Sequence, residues 1–144
     1  MCKQNQNILL SVGALCLGGI LYIFLREESW IAKQVPVHTC LADMRMYLAG
    51  LPLGFFRYYA PDFLWGLSLG CALIAVCKPD REKSWIYGFV SFGCGCVWEL
   101  FQLVGVIRGT GDVWDVVMYF LAAVFCIILY ELHINSHDSE DDQP

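Results

Sequence analysis

Four long apolar stretches divide this chain, with short polar punctuation between the last three. The first, Ile8–Leu25, reads ILLSVGALCLGGILYIFL and closes on Arg26-Glu27-Glu28. The second is expected to start at Pro61-Asp62, where proline ends whatever precedes it and Asp62 can cap a helix. It runs to Cys77, before the charged turn Lys78-Pro79-Asp80-Arg81-Glu82-Lys83. The third, Trp85–Ile107, ends at Arg108-Gly109-Thr110-Gly111-Asp112, and the fourth covers Val113–Leu132. A helix needs roughly 20 mostly apolar residues to cross a hydrocarbon core about 30 Å thick. The pattern therefore predicts an all-α fold: a four-helix transmembrane bundle over residues 1–132, spans about 8–25, 62–77, 85–107 and 113–132. The remaining residues 133–144, HINSHDSEDDQP, have nothing apolar to bury and read as an acidic, disordered tail.

The first span has a rival reading as a cleavable signal peptide, given Lys3 ahead of it. Its apolar run is longer than a usual signal core and no small-x-small site follows Leu25, which favours a retained helix. A connection of about 35 residues follows, long enough to carry structure of its own. Within it Thr39 can cap a short helix ending before Gly50-Leu51-Pro52. Leu41, Met44 and Leu48 share one face there while Asp43 and Arg45 lie elsewhere, as a helix lying in the interface requires. Phe55, Phe56, Tyr58 and Tyr59 then form an aromatic belt around Arg57, typical of the water–lipid boundary.

Composition agrees with the pattern. Hydrophobic residues make up 58% of the chain and charged residues 16%, against about 45–50% and 25% in ordinary soluble domains. The formal charge of −5 comes largely from the tail, and no basic footprint for nucleic acid is present. Eight cysteines might suggest a disulfide framework. Most fall inside or at the ends of apolar stretches, however, and read as small buried thiols packing between helices. Cys94 and Cys96 point about 200° apart on a helix and make a poor metal pair. Lys78, Arg81 and Lys83 crowd into one turn, which places that turn and both termini on the cytoplasmic side.

Helical angles gather the polar residues. Gly88, Ser91, Gly95, Glu99 and Gln102 of the third span lie within about 80° of one another, so the small residues that permit close approach share a stripe with the polar ones. Asp112, Asp115, Tyr119, Ala122, Ala123 and Cys126 form a matching face on the fourth span, and Asp62, Gly66 and Gly70 one on the second. The start of span two, the end of span three and the start of span four lie at the same side of the membrane. Asp62, Glu99, Gln102, Arg108, Asp112 and Asp115 are thus expected to converge on one pocket, with Arg57 at its rim and Tyr119 as an accessory. Each has a bland alternative. The aspartates near helix starts can be caps favoured by the helix dipole, Arg108 an interfacial charge, Gln102 interhelical glue, and Glu99 a strut bonded to Arg108. Glu99 is the hardest to explain away, because a charge at bilayer depth costs roughly 2.5–3.5 kcal/mol on insertion scales.

Glu99-x-x-Gln102, then Arg108, then Asp112-x-x-Asp115 at the head of a last span resembles the signature of the VanZ-like family of small membrane proteins. The match covers about 35 residues of the C-terminal half, and the first two spans fit the family in general plan. Tyr119 and Ala122 stand where the family usually has Asn and Gly. The resemblance implies a multi-pass protein of the bacterial cell membrane, and the family's namesake is linked with resistance to the glycopeptide teicoplanin.

Three functional classes follow. The leading one is an acidic pocket at the outer membrane face that binds a polar or cationic group of a lipid-linked cell-wall component or an antibiotic. The second is a small proton- or cation-coupled transporter subunit, with Glu99 carrying the proton; four spans would then need a homo-oligomer to complete a path, and no internal repeat is evident. A metal-dependent enzyme using Asp62, Glu99, Asp112 and Asp115 with Mg²⁺ or Ca²⁺ ranks last. No Ser-His or Cys-His arrangement is present, and no cofactor is implied.

Overall fold

The computed structural model describes residues 3–25, 46–47, 54–80 and 83–141. They form four helices, α1 (Lys3–Leu25), α2 (Gly54–Cys77), α3 (Ser84–Leu103) and α4 (Val113–Asp141), with no strand among the described residues. By length and composition Asn5–Leu25, Gly54–Cys77, Ser84–Leu103 and Val113–Leu132 can each cross a membrane. Their outward faces carry Leu9, Val12, Trp85, Phe89, Val97 and Leu121, all exposed. Water would not tolerate so continuous an apolar surface, and lipid does. The expected four-helix bundle is the fold. The interfacial helix expected in the first connection lies outside the described residues apart from Met46 and Tyr47, which are helical and exposed.

Three boundaries differ from expectation. Helix α2 begins at Gly54 and carries Pro61 inside it. Proline removes one backbone donor, a loss that helices in a membrane bundle withstand when neighbouring groups repack around it. Asp62 is consequently no cap: it sits two turns into the helix and is 5% exposed. Helix α3 stops at Leu103, one turn before Ile107. Gly105 takes φ +74 there, and the Gly105 amide donates to the Gln102 carbonyl (3.0 Å) and the Val106 amide to that of Phe101 (2.9 Å). That pairing is a Schellman closure, which wants glycine at the left-handed position. Helix α4 continues past Leu132 to Asp141, so the stretch expected as disordered tail is helical that far. Extending a formed helix costs far less than starting one.

Helix α2 is the central element, touching α1, α3 and α4, while α3 and α4 also touch each other. Helix α1 is tied to α2 by a reciprocal serine pair. Ser11 Oγ donates to the Ser68 carbonyl (2.9 Å) and Ser68 Oγ to that of Ser11 (2.8 Å). The core gathers Ala14, Leu67, Cys71, Ile74, Ala122 and Cys126. Small residues let backbones approach: Ser91 Oγ on α3 reaches the Gly66 carbonyl of α2 at 2.8 Å. The cysteines divide. Cys71 and Cys126 are buried with their sulfurs 3.6 Å apart, whereas Cys16, Cys77 and Cys94 are exposed and Cys96 is half-buried. Thiols are apolar enough to face lipid as well as protein, so burial between helices holds for only part of the set.

Candidate functional site

The up-down path of the four helices brings the N-terminal part of α2, the C-terminal end of α3 and the start of α4 to one end of the bundle. At that end Asp62, Glu99 and Asp115, one from each helix, are all buried, at 5%, 6% and 5% exposure. Glu99 lies roughly 6 Å inside the end of α3, and Asp62 roughly 12 Å beyond the start of α2, at 1.5 Å per residue.

Tyr119 links them. Its hydroxyl donates to Asp62 Oδ1 at 3.1 Å, a buried bond between α4 and α2. The ring is gripped between two glycines: a Cβ on Gly66 would stand 3.1 Å from Tyr119 Cδ1, and one on Gly95 would overlap the ring outright. Gly66 and Gly95, whose small size marked the helix-contact stripes in sequence, are thus the walls of a tyrosine slot.

Asp112 is a second junction. Its Oδ1 accepts from the Trp114 amide at 3.0 Å, the bond of a helix N-cap. Its own backbone N–H donates to Glu99 Oε2 at 3.2 Å, and its Oδ2 accepts from the Tyr59 hydroxyl at 3.4 Å. Asp112 thereby performs the capping that α4 requires, and Asp115, buried one turn along, is not needed for it.

The remaining expected residues divide. Gln102 is half-buried. In the amide orientation that its neighbours dictate, its oxygen accepts from Trp98 Nε1 at 2.8 Å and its nitrogen donates to the Thr110 carbonyl at 3.2 Å. It pins the α3–α4 turn. Gly109, at φ +153 in that turn, lies directly against the Gln102 amide. Arg108 is exposed, and among the described residues no ion pair joins it to Glu99. Arg57 is half-buried on the first turn of α2. Tyr59, which the sequence suggests only as part of an aromatic belt, belongs to the site through Asp112. Its position in the helix that also carries Asp62 was hidden by reading Pro61 as a break.

Among the described residues no three His, Cys, Asp or Glu side chains are grouped closely enough to hold a metal ion. A shallow recess of about 490 Å³ opens on the outward face of α3, lined by Val90, Gly93, Cys94, Val97, Trp98 and Phe101, and its apolar walls suit lipid chains. Compared with family models, curated proteins and solved structures, the chain matches none.

Proposed function

We propose that this chain is a VanZ-like protein of the cell membrane that binds a cationic or hydrogen-bond-donating group at its acidic end, on a lipid-linked cell-wall component or a glycopeptide antibiotic. The observation that carries this reading is the burial of Asp62, Glu99 and Asp115, one from each of three helices, at the same end of the bundle. Ionisable side chains at such depth are expensive to insert and are retained where they serve a ligand, ion or proton. A small proton- or cation-coupled transporter subunit is the second reading, favoured by the depth of Glu99, with the same residues forming one end of a path.

The reading puts both termini in the cytoplasm and the acidic end at the outer face, on the strength of the cationic turn after α2. A fluorescent protein fused after Pro144 is expected to be bright and an alkaline phosphatase fused there silent. The reverse pattern moves the site to the cytoplasmic face.

Binding is tested with the protein in lipid nanodiscs, titrated with teicoplanin, with a lipid-linked cell-wall precursor bearing a free amine, and with divalent cations. Saturable binding of one of the first two supports the leading reading, and cation or proton binding alone supports the second. Asp115→Asn is expected to remove binding while α4 stays folded and capped by Asp112. Asp112→Ala is expected to lower stability by about 1 kcal/mol, the weight of a helix cap. If Asp115→Asn binds normally and only melts earlier, the cluster is a structural clamp.

A further inference from the structure

We infer that Cys71 and Cys126 are a redox couple, a thiol pair that a lipid-soluble oxidant closes into a disulfide stapling α2 to α4. Among the described cysteines these two alone are buried, each 2% exposed. They stand 55 positions apart in the chain, yet their sulfurs lie 3.6 Å apart, in thiol-to-thiol contact. The backbones are close as well. A Cβ on Gly70, the residue before Cys71, would meet Cys126 Sγ at 3.0 Å and Cys126 Cβ at 3.4 Å. A disulfide wants Cβ atoms about 3.5–4.5 Å apart and an S–S bond of about 2.0 Å. Glycine thus lets α4 approach α2 to that range one residue away. The sulfurs themselves have about 1.6 Å left to close, which rotation of the two side chains about their Cα–Cβ bonds supplies.

The surroundings select the oxidant. Both thiols belong to the apolar core with Leu67, Ile74 and Ala122. Exchange with a water-borne disulfide proceeds through a thiolate, which such a core does not support. A quinone dissolved in the bilayer instead meets the helices from their lipid side. As the bond closes, both S–H bonds break and one S–S bond forms. Two electrons and two protons pass to the quinone, which leaves as the hydroquinone. The staple lies in the seam that carries Tyr119. Cys126 follows that residue by seven positions, two turns along the same face of α4. Gly66 and Gly70 are the α2 residues against which the two side chains sit. Oxidation therefore fixes α2 on α4 beneath the bond from Tyr119 to Asp62. Nothing in this inference depends on the ligand-site reading.

The test needs no ligand. The full-length protein in lipid nanodiscs is treated with decylubiquinone or, in parallel, with oxidised glutathione. Free thiols are then blocked with N-ethylmaleimide in sodium dodecyl sulfate, and disulfide-linked peptides are read by mass spectrometry. Melting temperature is measured on the same samples before the detergent is added. The quinone is expected to link Cys71 to Cys126 in most molecules and to raise the melting temperature by roughly 10 °C, the scale for closing a loop of this length. Oxidised glutathione is expected to leave the pair reduced, and Cys126→Ser to lose both effects of the quinone. Both thiols recovered alkylated after quinone treatment overturn the staple, and so does linkage without a rise in melting temperature. An equal yield with oxidised glutathione overturns it too, because a pair open to water is not the one described. Should Cys126→Ser not fold, the linked peptide and the melting shift of the natural protein decide alone.

Discussion

Gly95→Ala is expected to destabilise the bundle by about 3 kcal/mol, the upper part of the range for overpacking a close-packed core. The added methyl would stand 2.6 Å from Tyr119 Cδ2 and 2.9 Å from its Cβ. These atoms sit near the tyrosine backbone, so no rotation of a flexible tip relieves the clash. The ring cannot retreat either, because Gly66 closes its other side and its hydroxyl is bound to Asp62. Helices α3 and α4 must separate, which strains the bond from Tyr119 to Asp62. Gly93→Ala on the same helix is the control: nothing lies within 4 Å of its would-be Cβ, and alanine is the better helix former. Thermal unfolding in detergent, followed by helical signal, separates the two variants. Equal melting temperatures would mean that the tyrosine slot is looser than its geometry.

Glu99→Gln is expected to leave the fold intact and weaken ligand binding about tenfold, on the scale by which charged hydrogen bonds exceed neutral ones. Glutamine matches glutamate in shape, and its side-chain oxygen still accepts the Asp112 N–H that Glu99 Oε2 receives at 3.2 Å. What disappears is ionisation. A group that attracts a cation or carries a proton fails without it, whereas a strut does not notice. Melting temperature and titration on the same preparation make the distinction, and unimpaired binding by Glu99→Gln would reduce the residue to a strut.

Much of the architecture was legible in residue order. Apolar runs of spanning length located all four helices, because the lipid requirement is written in composition and needs no tertiary information. The small-residue stripe of Gly88, Ser91, Gly95 and Glu99 is buried as its angles require. The ends were harder. Gly105 carried the stop signal for α3, but the apolar residues after it, Val106 and Ile107, prolonged the apparent span. Pro61 was misread for the opposite reason: its breaking effect is a rule for helices in water, and here packing overrides it. Tyr119 illustrates a third limit. Its position on the inward face was visible, yet nothing local revealed that glycines on two other helices leave room for its ring.

The α3–α4 turn bears on how such a chain enters a membrane. Only nine residues, 104–112, separate the helices, and the Schellman closure turns the backbone back so that the Asp112 amide meets Glu99 without help from α1 or α2. The pair can therefore partition into lipid as a hairpin, with its deepest α3 carboxylate already holding a donor from its own partner strand of sequence. Contacts this local form early. The same hairpin also brings the Tyr119 hydroxyl of α4 to Asp62 when it docks on α2. The α3–α4 hairpin thus carries a donor for Glu99 within itself and presents a second one to the helix that entered before it.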